Sequence, residues 1–255
     1  MSQIIAIAYN TFREGIRNKI LHSLVFFAFI MIVLSNALSE LAMAASDKVV
    51  TDIGLSAISL FGVFIAIFVG INLVYKEIDR KTIYTIISKP LSRYQIVVGK
   101  YLGLVVMLFV QLLIMSAVFC LALLFTQGSI DPQIFVAIAM IFLELMVITA
   151  LSICFSSYSS PFMSALFTIS IFVIGHVTND LLQFGEKSKL VTMKVVAQIS
   201  YYLFPNLENF NFKTRVTHHL PYHVSEVFYA AGYGFLWIAL LLILSVLLFQ
   251  RRDFK

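Results

Sequence analysis

The sequence predicts an all-α polytopic membrane protein with six transmembrane helices. Of its 255 residues, 60% are hydrophobic and only 12% are charged, whereas soluble domains average about 25% charged residues. Five stretches without Asp, Glu, Lys or Arg reach 20 residues or more, which lets an α-helix cross the roughly 30 Å hydrocarbon core of a bilayer. The two cysteines, Cys120 and Cys154, lie inside these stretches. The composition therefore excludes a soluble domain and a disulfide scaffold.

Four of these stretches each correspond to one span, whereas the longest stretch contributes to two spans. Residues 145–179 would form a helix about 50 Å long, too long for one crossing. The serine-rich segment Ser156–Pro161 divides this stretch, because proline disfavours a helical residue before it and serines compete for backbone hydrogen bonds. The single transmembrane domain, residues 1–255, is predicted to have spans at about 20–39, 53–75, 101–126, 133–155, 161–182 and 229–249.

The basic residues predict the orientation of these spans. On one side of this layout, 55 residues hold 12 of the 18 Lys and Arg, and on the other side 65 residues hold six. Loops rich in Lys and Arg stay in the cytoplasm. Both termini are therefore predicted to be cytoplasmic, and the net charge of +5 is explained by orientation rather than by binding to nucleic acid.

Residues 1–19 have the pattern of an amphipathic helix before the first span. The predicted apolar face consists of Ile5, Ala8, Phe12 and Ile16. The predicted polar face consists of Asn10, Arg13, Glu14 and Arg17. This pattern indicates a cytoplasmic elbow helix in the membrane interface, although a basic flank that only orients the first span would look the same.

The predicted cytoplasmic loop, residues 76–100, contains a second short amphipathic pattern. Ile83, Ile86 and Ile87 recur at helical spacing among charged residues, and Pro90 closes the segment. The pattern indicates a helix that projects into the cytoplasm with one apolar face open to a partner. A plain charged connector is the alternative interpretation.

The predicted extracytoplasmic segment, residues 183–228, contains a third helix and a group of histidines. The helix would have Val191, Val195, Ile199 and Tyr202 on one face and end at Pro205, lying along the outer membrane surface. His218, His219 and His223, with Glu226 nearby, are residue types that bind zinc or copper. Their spacing matches no established metal motif, so we interpret them as surface residues and predict no metal site.

Glu144 is the charged residue that lies near the middle of a predicted span. A carboxylate at that depth costs at least about 2.5 kcal/mol unless it faces protein or water, so it is a candidate for the translocation path or for a structural contact. Further candidates for the path follow at helical spacings on the fourth and fifth spans. They are Ser152, with Ser156 beyond it, and the stripe Ser164, Thr168, His176 and Asp180. For the serines and the threonine, interhelical hydrogen bonding is the favoured interpretation.

The second span carries a stripe of small residues, Gly62, Ala66 and Gly70, that allows another helix to approach closely. The sequence does not tell whether that helix belongs to the same chain.

The chain also lacks the motifs of common enzymes. Gly99 and Lys100 precede Tyr101 rather than Ser or Thr, so they do not complete a phosphate-binding loop, and the protease and hydrolase patterns HExxH and GxSxG do not occur. We therefore expect a protein that is not itself an enzyme.

The cytoplasmic loop resembles that of the permease subunits of type-2 ABC transporters. The matching residues are Glu77, Thr82, Pro90, Ser92, Arg93, Gly99 and Lys100, whereas Lys81 replaces the usual glycine. The segment from Thr11 to Lys19 is similar to the entry helix of that family. The segment from Phe204 to Asn211 resembles members associated with multi-copper enzyme maturation.

The resemblance implies an exporter or flippase subunit of the bacterial cytoplasmic (inner) membrane. It implies that two permease chains, identical or related, sit on separate cytoplasmic ABC ATPase subunits that bind Mg-ATP, while this chain binds no cofactor. The loop helix would then be a coupling helix. Its contact residues would be Glu77, Lys81, Thr82, Ile83, Ile86, Ile87, Pro90, Ser92 and Arg93. The alternative function is a small ion-coupled secondary transporter or channel, with Glu144, His176 and Asp180 as a proton path.

Overall fold

A computed structural model describes residues 3–41, 46–79, 92–188 and 191–251. These residues form nine α-helices and one 3₁₀ helix, and they contain no strand, so the predicted all-α class is confirmed. The α-helices are α1 Gln3–Ile16, α2 Lys19–Leu41, α3 Ser46–Asp79, α4 Arg93–Gln127, α5 Gln133–Ser156, α6 Pro161–Lys187, α7 Val191–Leu203, α8 Lys213–Thr217 and α9 Val224–Arg251. The 3₁₀ helix, Leu207–Phe210, lies between α7 and α8.

Within the described residues, five helices are long and apolar enough to cross a membrane. The crossing segments are Lys48–Asn72, Arg93–Gln127, Gln133–Ser156, Pro161–Lys187 and Val224–Gln250. The pair Gln3–Ile16 and Leu21–Leu34, bent by 60°, meets the same criterion when it is counted as one broken span. The fold is therefore a polytopic membrane protein with five to six spans, against six predicted.

Helices α3 and α4 continue beyond the predicted spans and into the predicted cytoplasmic loop. α3 extends to Asp79, and α4 begins at Arg93 rather than at residue 101. The sequence analysis ended each span at the first charged residue, whereas a helix can continue past the hydrocarbon core into the polar interface. The rest of that loop lies outside the described residues, and with it the predicted coupling residues Lys81, Thr82, Ile83, Ile86, Ile87 and Pro90.

The core of the bundle lies around α3 and α5. In the apolar windows of α3 and α5, 67% and 61% of the residues are buried, against 22% and 28% for α6 and α9. The stripe of small residues on α3 faces α5: a Cβ added to Gly62 would lie 2.8 Å from Leu145, and one added to Gly70 would lie 3.5 Å from Ser152. Ala66 between them is buried. The small residues therefore receive a helix of the same chain.

Helix α1 packs closely on the first turns of α4. A Cβ on Gly99 would lie 2.8 Å from Ile7, and one on Gly103 would overlap the carbonyl oxygen of Ala8. Two glycines four residues apart thus let the two backbones approach, as in membrane helix pairs with the GxxxG pattern. This pair of glycines is a packing site that the sequence analysis missed.

The packed face of α1 is formed by its small residues. Thr11 and Gly15 are buried, whereas Ile5 and Ile16 of the predicted apolar face are 52% and 38% exposed. Close approach of the backbones at the α4 glycines favours small residues at the contact, and the position of the predicted apolar face in the membrane interface stays a prediction. Phe12 and Glu14 are half-buried, Phe12 against the core, and Arg13 and Arg17 are exposed.

The chain turns between α5 and α6 at the predicted break. α5 ends at Ser156, and α6 begins at Pro161 directly after Ser160. Proline is well suited to the first helical position, where its missing N–H costs nothing. The Ser157 hydroxyl lies 2.9 Å from that of Ser245, which links this turn to α9.

The contact between α1 and α4 yields a stability prediction. Gly103→Ala places a methyl group against the backbone of Ala8 and the side chain of Thr11, so we expect the free energy of unfolding to fall by about 1–3 kcal/mol. Gly232→Ala is the matched control, because no atom lies within 4 Å of its Cβ position and alanine is the better helix former. Thermal unfolding of both variants in detergent measures the difference. Equal midpoints would contradict the close packing.

Candidate functional site

The carboxylate of Glu144 lies in the interior of the bundle, halfway along α5. Its side chain is 1% exposed. Three other polar side chains face it: Ser59 from α3, His176 from α6, and Lys213 from the beginning of α8. We call these four residues the carboxylate cluster. Four different elements of the fold therefore meet at one buried acidic group.

His176 makes an ion-pair contact with Glu144. Its Nε2 lies 3.3 Å from Oε1 of Glu144, and its Nδ1 lies 3.1 Å from the carbonyl oxygen of Phe172. Because a carbonyl can only accept, Nδ1 carries a hydrogen. The contact between Nε2 and Oε1 has an ion-pair distance without hydrogen-bond geometry, because Oε1 of Glu144 has no hydrogen-bond partner among the described residues.

Lys213 brings a positive charge to the other side of the cluster. Its Nζ donates to the Ser59 hydroxyl over 3.1 Å, and the same hydroxyl lies within hydrogen-bonding reach of Glu144. Lys213 and His176 both act electrostatically on the carboxylate, with Glu208 as an opposing negative charge. A buried charge requires such partners. The sequence analysis counted Lys213 as a charge of the outer loop and missed both it and Ser59.

The residues that carry Lys213 into the bundle form an inserted segment, Phe204–Thr217. Leu207 and Phe210 are fully buried, and Phe212 and Val216 are nearly so. α6 and α9 receive the segment at glycines: a Cβ on Gly175 would lie 2.7 Å from the carbonyl oxygen of Pro205, and one on Gly234 would lie 3.1 Å from the ring of Phe210. The sequence placed this stretch in an outer segment, but it packs into the helix bundle.

Asn206 fixes the inserted segment to α6 and α9 by hydrogen bonds. Its backbone N–H donates to the Tyr233 hydroxyl and its side-chain amide donates to the Asn179 carbonyl oxygen, each over 2.8 Å. Its own side-chain oxygen accepts from the N–H of Glu208 over 3.2 Å and begins the 3₁₀ helix. The apolar residues Leu207, Phe210 and Phe212 are the sequence signal that could have indicated a packed segment here.

An open cavity of about 740 Å³ lies between the inserted segment, α6 and α9. We call it the vestibule. Its polar lining includes Asn179, Glu208 and the ion pair of Arg215 with Glu226, and its aromatic lining includes Tyr229 and Tyr233. Glu144 is not part of the lining. Glu208 therefore belongs both to the vestibule and to the electrostatic environment of the carboxylate cluster.

The structure brings together only part of the predicted path residues. Ser152 and Thr168 are fully buried and donate to the carbonyl oxygens of Ile148 and Ser164 over 2.9 and 2.7 Å, as helix-packing residues do. Asp180 is exposed. At about 100° per residue, Asp180 lies about 160° around α6 from Ser164, so the predicted stripe is not one face. Glu144 and His176 are the predicted path residues that meet.

Two of the three histidines in residues 183–228, His219 and His223, contact different carboxylates. His219 lies 3.2 Å from a carboxylate oxygen of Asp131, and the backbone N–H of His223 donates to Glu226 over 3.2 Å. Within the described ranges of the chain, no three His, Cys, Asp or Glu side chains are close enough to hold a metal ion.

The family model of the ABC-2 family transporter proteins matches residues 5–254, which includes nearly the whole chain. The chain belongs to the ABC-2 transporter family. No curated protein matches the sequence. An ABC-2 chain is a membrane subunit of an ABC transporter, and the family implies an ABC ATPase as its partner. The resemblance to members associated with copper-enzyme maturation stays a prediction.

Three predicted coupling residues of this ABC-2 chain lie in the described part of the loop: Glu77 in the last turns of α3, and Ser92 and Arg93 at the start of α4. The backbone N–H of Ser92 donates to the side chain of Gln95 over 3.2 Å, which caps the helix. Arg93 donates to the carbonyl oxygens of Phe249 and Gln250 over 2.7 and 2.8 Å. A guanidinium at these positions satisfies the end of α9 and interacts favourably with its dipole. Arg93 thus joins α4 to α9.

Charge compensation in the carboxylate cluster predicts a non-additive pair of mutations. Lys213→Met removes the cation near Glu144, and we expect the free energy of unfolding to fall by about 1–3 kcal/mol. Glu144→Gln in the same background removes the uncompensated charge, so the double variant should be more stable than the sum of the single effects. Lys194→Met, at an exposed position of α7, is the matched control. Additive effects would contradict the compensation.

The contact between Arg93 and α9 predicts a second stability difference. Arg93→Gln loses two charge-assisted hydrogen bonds and should lower the free energy of unfolding by about 1.5–3 kcal/mol. Arg93→Lys should have an intermediate effect, since an ammonium group keeps the charge without the guanidinium fork. Arg13→Gln changes an exposed arginine of α1 and serves as control. The cap would be disproved if Arg93→Gln and Arg13→Gln unfolded at the same temperature.

Proposed function

We propose that the chain is the permease half of an ATP-driven exporter or flippase of the bacterial cytoplasmic membrane, with both termini in the cytoplasm. Two permease chains, identical or related, pair in the membrane, and each binds a cytoplasmic ABC ATPase that hydrolyses Mg-ATP. Membership of the ABC-2 family supports the transporter role.

The position of α6 carries this proposal. Only 22% of its apolar window is buried within the chain, and Val173, Val177 and Phe184 lie on its exposed side. His176, with 23% of its side chain exposed, lies between this surface and the fully buried Glu144. A helix with so much open surface suits pairing with a second chain. A substrate moving along that interface would pass directly beside the carboxylate cluster.

The long helices α3 and α4 support coupling to an ATPase. They have 34 and 35 residues, and they extend from both sides of the cytoplasmic loop into the core of the bundle. α3 packs on α5 through its stripe of small residues, while Arg93 joins α4 to the end of α9. A displacement of the loop by nucleotide-dependent closure of the ATPases would therefore reach the helices around Glu144 without passing through a flexible linker.

The Glu144–His176 pair also suits the alternative function, an ion-coupled transporter or channel, because a carboxylate beside an imidazole can hold and release a proton. Asp180, the third member of the predicted proton path, is exposed and lies one helical turn from His176 on α6. ABC-2 membership nevertheless favours the ATP-driven function.

The docking proposal predicts that an apolar surface of the loop binds the ATPase. Ile83→Asp with Ile86→Asp should abolish co-purification of a co-expressed ABC ATPase, because two charges would replace the apolar contact. Ile83→Val with Ile86→Val keeps the surface apolar and is the matched control, expected to bind as the wild type. Pull-down from membranes with equal levels of permease measures the difference. Undiminished binding by the aspartate variant would refute the docking proposal.

A further inference from the structure

The vestibule contains a carboxylate that no neighbouring cation neutralises. Its ionisable lining residues are Glu208, Arg215 and Glu226, so two carboxylates and one guanidinium give the lining a net charge of −1, and Arg215 pairs with Glu226. Glu208 is half-buried and accepts a hydrogen bond from the side-chain amide of Asn211 over 2.9 Å. Among the described residues, no Lys, Arg or His nitrogen lies within 4.0 Å of the Glu208 carboxylate. The uncompensated charge of the vestibule is therefore at Glu208.

Aromatic side chains line the same cavity. They are Phe212, Phe228, Tyr229 and Tyr233. Phe228 and Tyr229 are 73% and 78% exposed, so their rings are accessible to a molecule that enters the vestibule. The guanidinium carbon of Arg215 lies over the Phe212 ring, 5.3 Å from its centre, so one cation of the protein already contacts a ring here. The face of an aromatic ring carries negative potential and attracts cations. The rings therefore favour the same sign of charge as Glu208.

A negative charge among aromatic rings suits an organic cation better than other ligands. A hard metal ion requires several oxygen ligands, and no three suitable side chains come together in the part of the chain that the structure describes. The net negative charge of the lining repels an anion, and an uncharged ligand leaves Glu208 without a counter-charge. An alkylated ammonium group can contact a carboxylate and aromatic rings together. The cavity of about 740 Å³ is large enough for it.

We propose that the vestibule binds an organic ammonium group, with Glu208 as its counter-charge and the exposed rings of Phe228 and Tyr229 as its contact surface. The group belongs to a free organic cation or to a lipid headgroup, because the lining includes the first turns of the membrane-spanning helix α9. The site is distinct from the carboxylate cluster, since Glu144 is not part of its lining. Binding requires neither an ATPase nor a second permease chain and is therefore independent of the proposed transport function.

Calorimetric titration of the full chain in dodecyl maltoside micelles tests this site, because the detergent carries neither a charge nor an ammonium group. The probe is choline. The comparison probe is its neutral isostere dimethylbutanol, in which a carbon atom replaces the ammonium nitrogen. We expect choline to bind at least about tenfold more tightly, since only the cation is attracted by the carboxylate and the rings. Equal affinities, or no binding of choline to the wild type, would overturn the proposal.

Two matched pairs of variants locate the bound cation. Glu208→Gln should weaken choline binding about tenfold, whereas Glu186→Gln, at an exposed carboxylate of α6 outside the vestibule, should bind as the wild type. Tyr229→Leu should weaken binding about threefold, whereas Tyr202→Leu, at a ring 80% exposed on α7, should not. Undiminished binding by Glu208→Gln would overturn the proposal. Should that variant fail to fold, Tyr229→Leu decides in the same way, because so exposed a side chain contributes little to packing.

Competition separates the two sources of the ammonium group. Displacement of choline by a short-chain phosphatidylcholine, but not by the phosphatidylglycerol of the same chain length, would identify a lipid headgroup as the ligand. Failure of both lipids to displace choline would identify a free organic cation. Equal displacement by both lipids would mean that lipid chains fill the vestibule and that the ammonium group does not select the ligand, which would overturn the proposal.

Discussion

The buried carboxylate of Glu144 is the constraint on which the arrangement of the bundle depends. It lies in one of the two most enclosed helices, where an unpaired charge would cost several kcal/mol, so its partners must come to it. Lys213 comes from the inserted segment and His176 from α6. α3 approaches α5 closely enough to present Ser59 because its stripe carries Gly62 at the contact. The small residues of α3, the inserted segment and helix α6 thus all contribute to the contacts of this one carboxylate.

The sequence predicted well which residues lie within the apolar helices, but it predicted poorly which side chains contact each other. The long uncharged stretches on both sides of Glu144 placed it in a span, and Gly62 and Gly70 indicated a close helix contact. Burial in lipid and close approach of two backbones each leave a local pattern in the sequence. Lys213 left no such pattern in the sequence, because a lysine in a loop looks the same whether the loop is exposed to solvent or packed into the bundle. The four-residue spacing from Ser164 to Asp180 misled because such steps drift about 40° each around a helix.

The missed contact at Gly99 and Gly103 has a different cause. Both glycines were visible in the sequence, but the first fell inside the segment assigned to the loop, because the uncharged stretch began only after Lys100. The structure continues α4 back to Arg93, and Lys100 within this helix is only 4% exposed. A charged residue therefore lies inside a packed helix here and does not mark a helix end. Counting charges cannot separate these cases, since it ignores what covers the side chain.

The contacts of the inserted segment restrict how the helices can move. Asn206 bonds to Asn179 of α6 and Tyr233 of α9, and Gly175 and Gly234 receive the segment without room for a methyl group. Sliding α6 along α5 would break these contacts and also withdraw His176 from Glu144, leaving a buried acid with fewer partners. Movement of the whole bundle preserves every one of them. The packing therefore favours movement of these helices together as one rigid body over sliding of α6 within the bundle.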